Sequence, residues 1–438
     1  MLITDMDLLS RRALIAAPFF IKNLISAPAN GRVRLAAMGA SNMAWHTLKN
    51  IAAHSSVDLV SVAEIDTSRT TEVKDKYPGA KHYQDWRKML DAEYRNLDAI
   101  CVGTPDHMHA PQAMAAMQRG LHVYCQKPLT SKVAEARKLK EFASAKNLVT
   151  QMGIQVHSSV EYKTAVAMVQ SGTIGKIKEV HTWSNKKWGD MDKRPKTKDA
   201  IPSTLDWNGW LGVARPFPYI KDYCHMVNWR KRLEFGTGTF GDMGCHIYDP
   251  VFAALALTSP LTVRAEGPAP NETNWAINAI VKYVFPGTKF TAGSTVNVTW
   301  YDGDERPPRE IQELIGDTKM PDQGSISIGT DGVMLLPHVG KPIFFSQAKV
   351  QTVVMPDIQA DNHYFQFVDA VLGKGKTSTS FDYSGPLSET VLLGSLATKF
   401  PKTTLEWDSA KLNFKNMKPA NQHLRRKYRS GWKVQGLA

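Results

Sequence analysis

Cysteine is scarce. The chain holds four, Cys101, Cys125, Cys224 and Cys245, with no CxxC pair among them, which argues against a disulfide scaffold. Cys101 and Cys125 fall in neighbouring predicted strands and read as packed thiols rather than a bridge. Long apolar runs are missing too. The run Ala13–Ile21 is broken by Pro18 and followed by Lys22, well short of the roughly 20 residues a membrane-spanning helix needs. Acidic residues are outnumbered, 41 against 54 lysines and arginines, for a net charge of +13. That excess is scattered, with local clusters at Lys186-Lys187, Lys193–Lys198 and Arg425–Arg429 and no nucleic-acid motif beside them. The clusters therefore read as solvated surface, and nucleic acid is not expected as a partner. Internal repeats and low-complexity stretches are absent.

What is there is a globular composition, 43% apolar and 22% charged over 438 residues, enough for two cores rather than one. The first 30 residues read separately. Ser10-Arg11-Arg12 precedes the short apolar run, and Ala27-Pro28-Ala29 has the small-x-small form of a cleavage site, so the segment resembles a twin-arginine export signal. That predicts a periplasmic protein exported in its folded state. A cytoplasmic amphipathic arm, or an arm resting on a partner subunit, are the alternatives.

From Val33 onward, apolar runs alternate with helix-like segments. Val33–Met38, Leu59–Ile65 and Ala99–Val102 predict parallel strands joined by crossover helices. The first strand ends at Gly39 and enters a helix through Ser41, Asn42 and Met43, a turn that aims helix N–H groups and a positive dipole end at a pyrophosphate. Against GxGxxG/A the chain offers Gly39, Ser41 and Ala44, a degenerate match. Asp66 follows 22 residues after Ala44, where a carboxylate can accept from both ribose hydroxyls and repel a 2′-phosphate. That favours NAD, while Arg69 is placed to accept the extra phosphate of NADP.

Beyond about residue 155 the pattern becomes strand-rich. Ala276–Phe285 with Thr288–Trp300, and Ser325–Ile328 with Val333–Leu336, predict two hairpins of one open sheet. One face of such a sheet is expected to lie on the first domain and the other on a partner subunit, giving a homo-oligomer. Ser184–Tyr219, rich in Pro, Gly, Trp and Lys, predicts a long surface excursion at the mouth of the site. Helices are expected over Asn362–Leu372 and Pro386–Thr398.

Five motifs in this order, GASNMA, TPDHMHA (Thr104–Ala110), CQKPL (Cys125–Leu129), GTIGKIKEVH (Gly172–His181) and FGTGTFGDMGCHIYDP (Phe235–Pro250), resemble those of the Gfo/Idh/MocA oxidoreductases. The resemblance runs from about Gly31 to the end. It implies an α/β Rossmann-type dinucleotide-binding domain over 31–155 and an α+β domain with a large open, mainly antiparallel sheet over 156–400. A C-terminal extension over 401–438 follows. It assigns Asp106–His109 to a cofactor loop rather than a metal site, with Thr104, Pro105, His107 and His109 beside the dinucleotide, and Gln126, Lys127 and Gln155 along its far end. Catalysis falls to Lys127, which binds the reacting oxygen, His246 as base, and Asp242 to orient it or bind a neighbouring hydroxyl. Gln126 departs from the family's usual Glu and removes a negative charge beside Lys127.

For a substrate, Trp183, Trp188, Trp207, Trp210 and Trp229 offer stacking faces, and His225 and Arg230 offer polar contacts, with His157 joining them by resemblance. The cluster favours a sugar or polyol. The implied reaction removes hydride from a hydroxyl to NAD(P), giving a keto-sugar, with a tightly held cofactor. Alternatives are a glycoside hydrolase or lyase acting through transient C3 oxidation, and a non-catalytic nucleotide-loaded sensor.

Overall fold

In the computed structural model, residue 28 and residues 30–437 are described, so the expected export signal lies almost wholly outside the described residues. Two sheets organise the chain. The first is parallel, with β1 (Val33–Met38), β2 (Val57–Ala63), β3 (Lys81–Tyr83), β4 (Ala99–Val102), β5 (His122–Cys125) and β6 (Thr150–Met152) in the order β3-β2-β1-β4-β5-β6. The order reverses between β1 and β4, and the loops that leave their carboxyl ends there form a crevice. Both faces of this sheet are covered, so its strands are continuous apolar runs such as the fully buried Ala99–Val102. The helix Asp106–Met117 is buried on every side, which its Ala- and Met-rich sequence permits.

The second sheet is mixed and mostly antiparallel. It adds β7 (Ile177–Ser184), β8 (Thr262–Glu266), β9 (Ile280–Pro286), β10 (Thr295–Asp302), β11 (Gln323–Gly329), β12 (Val333–Pro337), β13 (Ile343–Ser346), β14 (Lys349–Gln351), β15 (Thr404–Asp408) and β16 (Asn413–Phe414). Their order is β14-β13-β12-β11-β7-β10-β9-β8-β15-β16, and β10 runs parallel to β7. Both expected hairpins form, the second with Ile328 opposite Val333. The inner face carries Val281, Tyr283, Phe285, Val298 and Trp300, all buried in the main core. The outer face is partly covered by the chain itself. Ile311 and Ile315 close over Trp183, Tyr301, Ile326, Leu335 and Phe345, which form a separate core.

The last expected helix starts earlier than Pro386. It spans Phe381–Ala397 with the proline inside, because Phe381 and Leu387 are both fully buried and the turn before the proline is anchored. This helix lies between the domains, against Val133–Ala145 on one side and Gly238–Ile247 on the other. Arg137 grips Glu389 across that seam at 2.6 and 2.7 Å.

The C-terminal extension is not a loose tail, and its basic cluster is not plain solvated surface. Tyr428 donates its hydroxyl to Glu135 at 2.8 Å, the Arg87 guanidinium sits 3.9 Å from the Trp432 ring, and Arg429 donates to the Gly212 carbonyl. All four cysteines are free and buried, and burial pushes the Cys101 thiol up to about 12. Among the described residues no helix is long and apolar enough to cross a membrane, and no group of three or more His, Cys, Asp or Glu is placed to hold a metal.

Candidate functional site

The crevice at the strand reversal is a cleft of about 400 Å³, of ligand-site size. Its floor is the turn after β1. Gly39 has φ +96°, and a Cβ there would come within 3.0 Å of the Ala44 Cβ and 3.1 Å of the Gly103 carbonyl oxygen. Gly103 is tighter still, since its Cβ would stand 2.7 Å from that of Ala44. The chain therefore keeps side chains out of a cradle at the start of the helix Met43–Ile51, whose Asn42 cap makes no side-chain hydrogen bond. Such a cradle fits a pyrophosphate. Gly39, Ser41, Asn42, Met43, Arg69, Thr104, Pro105, His109, Gln126 and Lys127 all line the cleft, as expected for cofactor residues.

Three expected cofactor residues stand elsewhere. Asp66 is not on the cleft wall. Its Oδ1 accepts from the Ser68 amide and hydroxyl, and its Oδ2 lies 3.1 Å from His225 Nε2. Glu64, the first residue after β2, lines the cleft instead and accepts the Ala40 N–H at 2.8 Å and the Asp66 N–H at 3.1 Å. Burial pushes its carboxyl up, while those two amides draw it back. His107 is sealed behind the loop, its ring against Trp210 and Phe235 and its Nε2 3.1 Å from the Trp210 carbonyl. Gln155 sits outside the cleft wall, its amide 3.8 Å from the Met43 sulfur. His109 braces the cofactor loop, with Nδ1 2.7 Å from the Pro128 carbonyl and Nε2 2.7 Å from that of Thr104. A neutral ring can donate to only one of them. Burial brings His109 down to about 4 against the pull of those two carbonyls, with Lys127 and Arg230 adding to the fall.

At the inner end of the cleft, Lys127 Nζ donates to Asp242 Oδ1 at 2.7 Å and to the Asp242 carbonyl at 2.8 Å. Arg230 Nε approaches the same Oδ1 at 3.3 Å, its guanidinium resting on Trp229 and facing Trp188. Burial pushes the Asp242 carboxyl up, but Lys127 and Arg230 outweigh it and hold it well below the usual range. Both cations reach the same oxygen, Oδ1, and no hydrogen bond joins Asp242 to His246 among the described residues. Gln126 cannot replace the missing Glu. Its amide donates to Thr47 Oγ1 at 2.8 Å and fills the space left by Gly153, so the counter-charge of Lys127 is Asp242.

His246 lies one helical turn beyond Asp242 on Gly238–Ile247 and opens on a second cavity of about 170 Å³. Burial, together with Lys127 and His338, lowers its basicity strongly and keeps the ring neutral. Sequence reasoning missed His338, whose ring centre is 5.5 Å from that of His246. It follows β12, and no local pattern marks it.

The expected substrate tryptophans are divided between core and cleft wall. Trp183 is 0% exposed, buried in the outer-face core with its indole N–H on the Pro321 carbonyl, and cannot touch a substrate. Trp207 and Trp210 stack at 4.7 Å in a cluster with Trp229 and Phe235 that is the core of the Ser184–Tyr219 excursion and its continuation. That excursion crosses to the first domain. Thr67 donates its amide to the Thr204 carbonyl, Asp206 donates to the Ile65 carbonyl, and Gly209, Trp210, Met226 and Trp229 wall the cleft. It is a strap over the dinucleotide site. His225 is on that wall as part of the strap, paired with Asp66, and burial lowers its basicity against the pull of that carboxylate. His157 is held by buried Asp249 at 2.9 Å, which in turn takes the Tyr383 hydroxyl, so its Nδ1 is spoken for.

Two family models match in tandem, "Oxidoreductase family, NAD-binding Rossmann fold" over residues 33–154 and "Oxidoreductase family, C-terminal alpha/beta domain" over 159–304. The chain belongs to the Gfo/Idh/MocA family. Curated Gfo/Idh/MocA-like relatives include a dTDP-3,4-didehydro-2,6-dideoxy-alpha-D-glucose 3-reductase of Streptomyces antibioticus, 29% identical over 37% of this chain and 50% of that one. Others are a levoglucosan dehydrogenase of Pseudarthrobacter phenanthrenivorans, 22% identical over 43% of this chain and 40% of that one, and an NADP-dependent scyllo-inositol 2-dehydrogenase of Bacillus subtilis, 22% identical over 48% of each. The chain thus spans about half the length of these relatives. Among solved structures, the fold matches an aldose-aldose oxidoreductase of Caulobacter crescentus (TM-score 0.58, 14% identity, 86% of this chain, 100% of that one). It also matches a dehydrogenase of Bordetella pertussis solved with NADH and UDP-GlcNAcA (TM-score 0.60, 14% identity, 86% of this chain, 99% of that one). The first domain of this Gfo/Idh/MocA protein is its NAD-binding domain, and the cradle at Gly39 and Gly103 fits that group.

Proposed function

We propose that this protein is a nicotinamide-dependent oxidoreductase that oxidises a hydroxyl of a sugar or polyol to a ketone. The observation that carries the reading is the buried Lys127–Asp242 pair, which closes the inner end of the dinucleotide cleft while His246 stands one turn further along the same helix. A bound nicotinamide supplies the hydride acceptor. Lys127 holds the substrate oxygen with its ammonium and steadies negative charge on it as the C–H bond breaks. Asp242 keeps that ammonium in place through its carboxylate and its backbone carbonyl. His246, neutral and without a side-chain hydrogen bond, receives the hydroxyl proton. The matched relatives named for sugars and inositols support the substrate class.

The strap supports a second part of the proposal. Chain from the second domain closes over the cleft and is tied down at Ile65, Asp66 and Thr67, so the nucleotide is retained between turnovers. Retention suits a protein exported already folded, which is the location we propose from Ser10-Arg11-Arg12 and the following run. We further propose a homo-oligomer, joined through the part of the outer sheet face that residues 305–322 leave uncovered.

The test has two steps. Purified protein is denatured and any released nucleotide is identified by mass spectrometry. The protein is then offered a panel of aldoses and cyclic polyols while nicotinamide absorbance is followed, alongside Lys127→Ala. Reduction by the native protein and at least a 100-fold loss in the variant are expected, on the scale of lost electrostatic stabilisation. Equal rates in the two proteins would remove Lys127 from the chemistry.

A further inference from the structure

The cavity beside His246 carries information about the substrate that the catalytic set does not. It is walled by His246, Ser159 and Tyr162 on one side and by Gly324, Leu336 and His338 on the other, so helix and sheet meet across it. Its volume of about 170 Å³ is close to that of cavities near 150 Å³ that admit a six-membered ring. The two imidazoles face each other at 5.5 Å and a tilt of 49°. Each has a buried Nδ1 with no hydrogen-bond partner among the described residues. Two such orphans side by side are unusual, because a buried donor or acceptor left unpaired costs stability that folding normally avoids. Burial and the Lys127 charge hold both rings neutral. A neutral imidazole has one donor and one acceptor nitrogen, which is what a hydroxyl group needs on the opposite side.

We propose that this cavity receives the ring of the substrate, and that His338 binds the hydroxyl next to the one presented to Lys127 and His246, so that the protein selects vicinal diols within ring polyols and sugars. The inference rests on the oxidoreductase reading and narrows it. In the reaction, the C–H bond at the reacting carbon breaks with its electron pair passing to the nicotinamide, the O–H proton passes to His246, and a carbonyl forms. The neighbouring hydroxyl keeps its own proton and stays on His338. His338 is thus a specificity-determining residue that touches substrate without taking part in bond making. A monohydric secondary alcohol would leave its imidazole unpaired, and so would a substrate deoxygenated at that neighbour.

The test compares the native protein with His338→Ala and His338→Gln, using myo-inositol, common aldopyranoses, cyclohexanol, and single-deoxy analogues of whichever compound is oxidised fastest. Removing the neighbouring hydroxyl is expected to lower kcat/KM by about 100-fold or more in the native protein, since a site built for a hydroxyl rejects its absence strongly. In His338→Ala the same change should cost less than about 3-fold, with the variant's loss on the full substrate falling mainly on KM. His338→Gln, which can still donate and accept, should recover part of the discrimination. Equal discrimination by native protein and His338→Ala overturns the proposal, as does a preferred substrate with no neighbouring hydroxyl. In both cases the oxidoreductase reading stands, whereas a native protein that oxidises nothing in the panel defeats that reading together with this one. A second measurement needs no turnover. Imidazole ¹⁵N resonances of both His246 and His338 should shift as the ring polyols are titrated in and not with cyclohexanol, and a response confined to His246, or none, counts against the assignment.

Discussion

The Lys127 ammonium lies 2.7 Å from the Asp242 carboxylate, and the two side chains retain only 12% and 14% of their exposure. A pair this secluded is costly to split, because the remaining charge keeps its desolvation without its partner. Asp242→Asn should therefore lose about 3 kcal/mol of stability along with its activity. The pH dependence follows from the direction of the shift. Burial pushes Asp242 up, but Lys127 and Arg230 prevail and its folded-state value is depressed. Its stabilising contribution is then complete above the ordinary carboxylate value of about 4 and is lost as pH falls below it. The gap in Tm between native protein and Asp242→Asn should be full at neutral pH and shrink in acid. A gap of constant size down to pH of about 3 would show that the carboxylate charge is not what matters.

His246 should separate chemistry from binding. His246→Gln is expected to lower kcat by about 100- to 10,000-fold, the usual worth of a positioned proton acceptor, with the released nucleotide unchanged in amount. It also bears on acid stability. Burial, Lys127 and His338 hold the folded-state value below the unfolded one, so the unfolded chain takes a proton first as pH drops through about 6.5. The native protein should lose stability through that region, and His246→Gln should lose less. Urea melts at several pH values on both proteins decide it, and parallel curves would contradict the burial of a neutral ring.

The nucleotide preference should answer to Glu64 rather than Asp66. Glu64 stands on the cleft wall, each of its oxygens holding one backbone amide with a lone pair to spare, whereas Asp66 lies off that wall, paired with Ser68 and His225. Glu64→Ser should raise affinity for NADP relative to NAD by about 10-fold or more, since a carboxylate at that place repels a 2′-phosphate. Asp66→Ser should leave the ratio nearly alone and cost stability instead. Isothermal titration of nucleotide-stripped protein with each dinucleotide gives both ratios, and the opposite ranking would restore Asp66 to the ribose.

Glu64 and Asp66 mark the limit of what was legible in the sequence. The run from Val33 into Gly39 and the apolar strands could be read because periodicity is local, and motif order singled out Lys127 and Asp242, which the fold brings to 2.7 Å. Glu64 and Asp66 are two residues apart, and only the point where β2 ends, at Ala63, says which of them reaches the cleft. The tryptophans misled for a related reason. Aromatic-rich segments without periodicity look the same whether they wall a site or fill a core; Trp183 does only the second, whereas Trp210 does both. His338 was invisible because a hairpin of the second sheet brings it to His246 from far along the chain.

The strap makes a kinetic prediction that tests cofactor retention directly. It reaches the first domain through the Asp66–His225 contact at 3.1 Å and through backbone bonds at Ile65 and Thr67. The backbone bonds persist in a side-chain variant, so His225→Ala should loosen the strap without removing it. The lost contact is partly buried and involves a charged acceptor, which puts its worth at about 1.5 kcal/mol. If that energy holds the strap closed, opening becomes about 10-fold more frequent, and the nucleotide leaves about 10-fold faster. Native mass spectrometry of the loaded protein mixed with isotopically labelled dinucleotide measures that exchange without any substrate. Asp66→Asn, which keeps an acceptor oxygen for His225, should fall between the two. An exchange rate identical in all three proteins would mean that the strap rides over the cleft without retaining what lies beneath it, and that retention, where found, comes from the cradle at Gly39 and Gly103 alone.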